Sequence, residues 1–141
     1  MINCGYQLAV SELVWDRTVP IGKREELIGS MVQLYARLFR VQSFAYATNM
    51  WWDAIAYAFE CGNAIRGRSQ EETRLQDAMF TSLVQILTID SPACQAAALH
   101  GLGHLHHPEG ERAIHLFVES TPGISPELRA YAAQAAAGMI Q

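Results

Sequence analysis

The chain has 141 residues, of which 50% are hydrophobic and 17% are charged, a balance that excludes intrinsic disorder and provides a core for one domain. Ten Lys and Arg residues against 14 Asp and Glu give a net charge of −4 at pH 7, whereas non-specific nucleic-acid binding needs a basic excess. No stretch approaches the roughly 20 apolar residues of a membrane-spanning helix, and no export signal is visible. The three widely spaced cysteines indicate neither a disulfide framework nor a Cys-x-x-Cys metal motif. We therefore expect a cytoplasmic protein that binds neither membrane nor nucleic acid.

Apolar residues recur at helical spacing along most of the chain, which predicts about seven helices and no strands. Ser69 and Glu72 have the spacing of a capping box. Ser91-Pro92 and Ser125-Pro126 each place an N-cap residue before a first-turn proline. In chain order, the predicted helices cover about 6–16, 23–40, 48–61, 69–88 and 93–105, with two more that begin near 108 and 125.

The C-terminal third of the chain contains a repeated helical unit. Its two Ser-Pro starts are 34 residues apart, and each opens an alanine-rich helix. Ala97–Pro108 (AALHGLGHLHHP), an amphipathic helix and then Pro126–Ala133 (PELRAYAA) resemble the HEAT-like repeats, including the bilin-lyase type. The resemblance covers 91–141 and implies a right-handed α-solenoid of stacked helix pairs that serves as a binding scaffold. We expect one all-α domain over 1–141, with a helical part at 1–90 and a HEAT-like part at 91–141.

Four of the five histidines lie between Leu99 and Pro108. His100 and His104 are one helical turn apart, a spacing used in metal sites, and His107 continues that face if the helix persists. The metalloprotease motif needs a glutamate directly after the first histidine, where this chain has Gly101. Apart from Cys94, no cysteine or acidic residue within 93–108 completes a ligand set.

Two interpretations of these histidines follow. We expect no metal or cofactor, and place the histidines at the exposed end of a repeat helix and in the turn after it. The alternative is a metal- or small-molecule-binding protein that uses the face of His100, His104 and His107.

The third predicted helix is apolar around most of its circumference. Because adjacent helical residues point about 100° apart, Trp51 and Trp52 can both be buried only if this helix is covered on two sides. Core packing is the first interpretation; the alternative is an exposed aromatic surface for a partner, with Trp51, Trp52, Tyr46 and Asp53 as candidate binding residues. Asp53 among aromatics is also a candidate catalytic group, as in HEAT-like DNA glycosylases, but the chain has no basic stripe to bind DNA.

No charged side chain follows Arg129, although the terminal unit of a solenoid normally has a polar outer face. The last helix either packs against the N-terminal helices or forms half of a homodimer interface. Tyr131, Gln134, Ala135 and Met139 are the candidate interface residues. We predict a non-enzymatic protein that recognises another protein, or a second copy of itself, through a helical face.

Overall fold

The computed structural model describes residues 5–41 and 45–141, with side chains over 10–41 and 49–141. This part of the chain forms helices and no strand, which confirms the predicted all-α class. None of its helices is long and apolar enough to cross a membrane. Its eight α-helices are α1 (Gly5–Trp15), α2 (Ile21–Leu34), α3 (Ala45–Ile55), α4 (Tyr57–Glu60), α5 (Gln70–Leu87), α6 (Pro92–Leu105), α7 (Gly110–Ser120) and α8 (Pro126–Ala136).

Serine side chains begin three of these helices. The hydroxyl oxygens of Ser69, Ser91 and Ser125 each accept the backbone N–H three residues further on, at 3.1–3.3 Å. Each bond satisfies an N–H that the first turn of a helix leaves without a partner. The starts of α5, α6 and α8 were all predicted from these local signals, and the structure confirms them.

Three predicted helices differ from the observed ones at their ends. The helix predicted over 23–40 begins at Ile21, and its last turn is a π-helix, Tyr35–Phe39. The helix predicted over 48–61 is divided at Ala56 into α3 and α4. The helix predicted from Pro108 begins at Gly110, because residues 106–109 form a turn of their own.

Helix α6 lies at the centre of the fold, in contact with α3, α4, α5, α7 and α8. Every residue from Ala97 to Leu105 is buried. Two glycines let its neighbours approach closely: a Cβ on Gly101 would lie 2.6 Å from Leu83 Cδ2, and one on Gly103 would overlap Ile140. Small residues therefore allow α6 to be covered on several sides at once.

Candidate functional site

One carboxylate and two imidazoles meet between α3 and α6. The Nε2 atom of His100 lies 2.6 Å from Asp53 Oδ1, and the Nε2 atom of His104 lies 3.3 Å from the same oxygen. One potential ligand atom from each of the three side chains lies within 4.8 Å of the other two. Because His100 and His104 are one turn apart on α6, both rings point to the same side, where α3 supplies Asp53. Three such donors are a set that one metal ion can bind.

The packing of α3 on α6 brings Asp53 to the histidines. A Cβ on Gly101 would lie only 2.9 Å from Trp52 Cγ, so the missing side chain is what lets this indole rest on α6. Trp52 is fully buried, and the next residue along α3 is Asp53. The glycine between the two histidines thus sets the helix separation at which the carboxylate reaches both rings.

The opposite nitrogen of each imidazole has its own partner. The Nδ1 atom of His104 is hydrogen-bonded to Glu60 Oε2, at the end of α4. The Nδ1 atom of His100 lies 2.7 Å from the hydroxyl of Tyr131, on α8. The rings of His100 and His104 pack edge to face, with their centroids 4.6 Å apart. The rings of His104 and Tyr57 pack in the same way, with their centroids 5.4 Å apart. Both rings therefore have a polar partner at each nitrogen and an edge-to-face contact with a neighbouring ring.

Exposure and charge differ across this cluster. The His100 and His104 side chains are each 7% exposed, whereas Asp53 is 48% exposed, so that solvent reaches the cluster past the aspartate. Burial, and then the charge of Asp53, raise the pKa of the Tyr131 hydroxyl. Within the described part of the chain, the carboxylates of Asp53 and Glu60 lie against the histidines, and neither forms an ion pair with Lys or Arg. A bound cation would balance these two carboxylates.

The expectation that these histidines occupy the exposed end of a helix is wrong for His100 and His104. Both are buried, because α4 and α8 cover this side of α6. The histidine segment supplies no carboxylate of its own, and Asp53 comes from a helix 47 residues earlier in the chain. Asp53 was already a candidate residue for its aromatic neighbours, but only the packing of α3 on α6 connects it to the histidines.

His107 does not belong to this cluster. Helix α6 ends at Leu105, and His106 has a left-handed backbone with φ of 50°, so the face predicted to continue to His107 is interrupted. The His107 ring accepts the Glu109 N–H at Nδ1, and its Nε2 therefore donates to Asp77 Oδ1 at 3.0 Å. The ring also stacks on Phe80, with the two centroids 4.0 Å apart. His107 therefore holds the turn before α7 in place.

The aromatic residues proposed for partner binding are placed differently. Trp51 and Trp52 both lie in the core, so neither presents the exposed indole that this hypothesis requires. Tyr46 falls on α3 but outside the described side chains. Of the four candidate binding residues, Asp53 is the one that the described structure brings into a polar cluster.

The candidate interface residues on and after α8 are divided between surface and interior. Gln134 and Met139 are exposed, whereas Ala135 is buried. Tyr131 is half-buried and bonded to His100. The exposed part of this surface is therefore narrower than the sequence predicts.

A separate apolar cleft of about 650 Å³ lies between α5 and α7. Phe80 and Val84 line one wall, and Leu116, which is 53% exposed, lies on the other. The Asp53 cluster consists of Asp53, Glu60, His100, His104 and Tyr131, and none of these residues lines the cleft.

No family model matches the chain, and no curated protein or solved structure is significantly similar to it. The resemblance of 91–141 to HEAT-like repeats therefore stays a prediction. The function must follow from the geometry of the chain's own residues, among which the Asp53 cluster has the most defined chemistry.

Proposed function

We propose that this protein binds a divalent metal ion between α3 and α6. The ligands are Nε2 of His100, Nε2 of His104 and a carboxylate oxygen of Asp53. The observation behind the proposal is the convergence of these three donor atoms within 4.8 Å, from two buried rings whose other nitrogens are already engaged.

The donor set favours an ion of the zinc, cobalt or iron type. Imidazole nitrogens suit these ions, whereas Mg²⁺ and Ca²⁺ prefer oxygen ligands throughout. Around an ion with bonds of about 2.0–2.2 Å, neighbouring ligand atoms are about 3.3 Å apart. The distance from His104 to Asp53 is 3.3 Å, and that from His100 to Asp53 is 2.6 Å. Rotation of the half-exposed Asp53 side chain would lengthen the shorter of these two distances.

Equilibrium dialysis of untagged protein against micromolar Co²⁺ tests this proposal, with visible absorption and metal analysis as readouts. We expect one equivalent in the wild type and affinity at least tenfold weaker in Asp53→Asn and His104→Ala. His115→Ala is the matched control, because His115 is an exposed histidine on α7, and it should bind as the wild type does. Absence of Co²⁺ from the wild type, or full retention by Asp53→Asn, would contradict metal binding.

We also propose that α6, α7 and α8 form a HEAT-like unit of a right-handed solenoid. Two observations support it: α8 packs against both α6 and α7, and α6 and α8 begin with the same capped proline. A cytoplasmic location is supported by the number and spacing of the three cysteines, which do not form the pattern of a disulfide framework.

Recognition of another protein or of a second copy is the second candidate function. The cleft between α5 and α7 supports it, since exposed apolar grooves of this kind accept side chains from a partner helix. The uncharged surface around Gln134 and Met139 supports self-association in the same way.

A further inference from the structure

We infer that Glu60 and Tyr131 are positioning residues of the metal site, which hold the two imidazoles so that Nε2 of each faces the ion. This inference rests on the proposed metal binding. It assigns a role to two residues that would not themselves touch the metal. Glu60 comes from α4 and Tyr131 from α8, so the rings are oriented by two helices other than the one that carries them.

Glu60 holds the ring of His104. A histidine that binds metal through one nitrogen donates its other N–H to an acceptor, and that bond fixes both the tautomer and the direction of the ring. The Nδ1 atom of His104 faces Glu60 Oε2, while its Nε2 atom lies 3.3 Å from Asp53. Asp53 lies on α3 and Glu60 at the end of α4, on the two sides of the break at Ala56. The His104 ring thus lies between two carboxylates. Asp53 faces Nε2 and belongs to the proposed ligand set, whereas Glu60 faces Nδ1 and does not.

Tyr131 holds the ring of His100 in the same way, but with a neutral oxygen. Its hydroxyl lies 2.7 Å from Nδ1, and Nε2 of the same ring points to Asp53. A hydroxyl both donates and accepts, so it accepts the Nδ1–H once Nε2 is bound to metal. Since Tyr131 lies on α8, this bond also joins the C-terminal helix to the site.

Glu60 and Tyr131 differ in how strongly they accept a hydrogen bond from the imidazole, and this difference predicts which substitution weakens metal binding more. A carboxylate accepts a hydrogen bond about twice as strongly as a neutral oxygen does, and it makes the imidazole a better electron donor to the metal. Loss of the charge on Glu60 should therefore weaken metal binding more than loss of the Tyr131 hydroxyl.

The experiment is a Co²⁺ titration of Glu60→Gln and Tyr131→Phe, followed by visible absorption and by competition with Zn²⁺. We expect Glu60→Gln to bind about 10–100-fold more weakly and Tyr131→Phe up to about tenfold more weakly. Both should shift the Co²⁺ absorption bands, which a loss of stability alone does not do. Circular dichroism should show unchanged helicity in both variants. If one variant fails to fold, the other still tests the role of the residue that it replaces.

A matched control separates positioning from a general effect of removing a charge. Glu119→Gln removes an exposed carboxylate of α7, and it should keep wild-type affinity and spectrum. Wild-type affinity and spectrum in Glu60→Gln and Tyr131→Phe would overturn this inference while leaving metal binding intact. A wild-type protein that binds no Co²⁺ would overturn both.

Discussion

The acidic side chains of this protein fall into two groups according to their partners. Glu72 is buried, and it accepts hydrogen bonds from the Arg68 guanidinium and from the Ile65 N–H at 3.2 Å. Asp53 and Glu60 face imidazoles instead. A carboxylate with an arginine partner has its charge already balanced, whereas one that faces histidines depends on a proton or a metal ion for that balance. Glu72 therefore stabilises the fold, and the other two belong to the site.

Replacing Glu72 by glutamine should destabilise the protein in a pH-dependent way. The Arg68 hydrogen bond holds the pKa of Glu72 below its ordinary value, against burial, which raises it. Such a carboxylate stabilises the folded state above its unfolded pKa of about 4.3, and the effect is lost as the pH falls through the folded pKa. We expect Glu72→Gln to cost about 1 kcal/mol at pH 7, and the difference from wild type to shrink at pH 3.5. Urea unfolding at both pH values measures this.

Glu119→Gln is the control for that comparison, because it removes an exposed carboxylate at the end of α7. It should leave the free energy of unfolding nearly unchanged at either pH. An equal loss in Glu72→Gln at pH 7 and pH 3.5 would show that packing, and not the charge of Glu72, supplies the stability.

At the scale of helices, what was predictable from the sequence was local. The hydroxyl oxygens of Ser91 and Ser125 accept the backbone N–H three residues further on, so the starts of these helices can be predicted from the nearby sequence. The break at Ala56 and the π-helical turn after α2 have no such signal in the local sequence. The proposed metal site depends on which helix lies against α6. The periodic pattern shows that α3 is buried on most sides, but it does not show that Asp53 faces His100.

Gly101 is the point at which helix packing and the site depend on one residue. An alanine Cβ there would lie 2.6 Å from Leu83 and 2.9 Å from Trp52, too close for either side chain to stay in place. Although alanine favours a helix over glycine by about 1 kcal/mol, we expect Gly101→Ala to destabilise the protein by about 1–3 kcal/mol. Moving Trp52 should also shift Asp53, so Co²⁺ affinity should fall together with the melting temperature.

The control for this substitution lies on α2. Gly29 is also helical, but a Cβ there meets nothing within 4 Å, so Gly29→Ala should raise the melting temperature and leave Co²⁺ binding unchanged. A rise in melting temperature for Gly101→Ala, like that expected for Gly29→Ala, would show that the packing of α3 on α6 does not need a glycine at this position.

At the scale of the whole molecule, the C-terminal helix has both an inner and an outer role. Its inner face packs on α6 and α7 and supplies Tyr131 to the site. Its outer side carries no charge beyond Arg129, and Met139, just after the helix, is 66% exposed. Apolar surface of this kind is left without a partner in the single chain, and a second copy that uses the same face would cover it.

Light scattering over a tenfold range of concentration tests this self-association. We expect the wild type to have twice the molar mass of one chain, and Met139→Asp to be a folded monomer, because a charge at that exposed position opposes burial in an interface. Ala135→Glu cannot serve as the test, since Ala135 is buried and its replacement should unfold the chain. Leu116→Asp, in the cleft between α5 and α7, is the matched control and should remain dimeric. A monomeric Leu116→Asp beside a dimeric Met139→Asp would move the interface to the cleft, and a monomeric wild type at every concentration would contradict self-association.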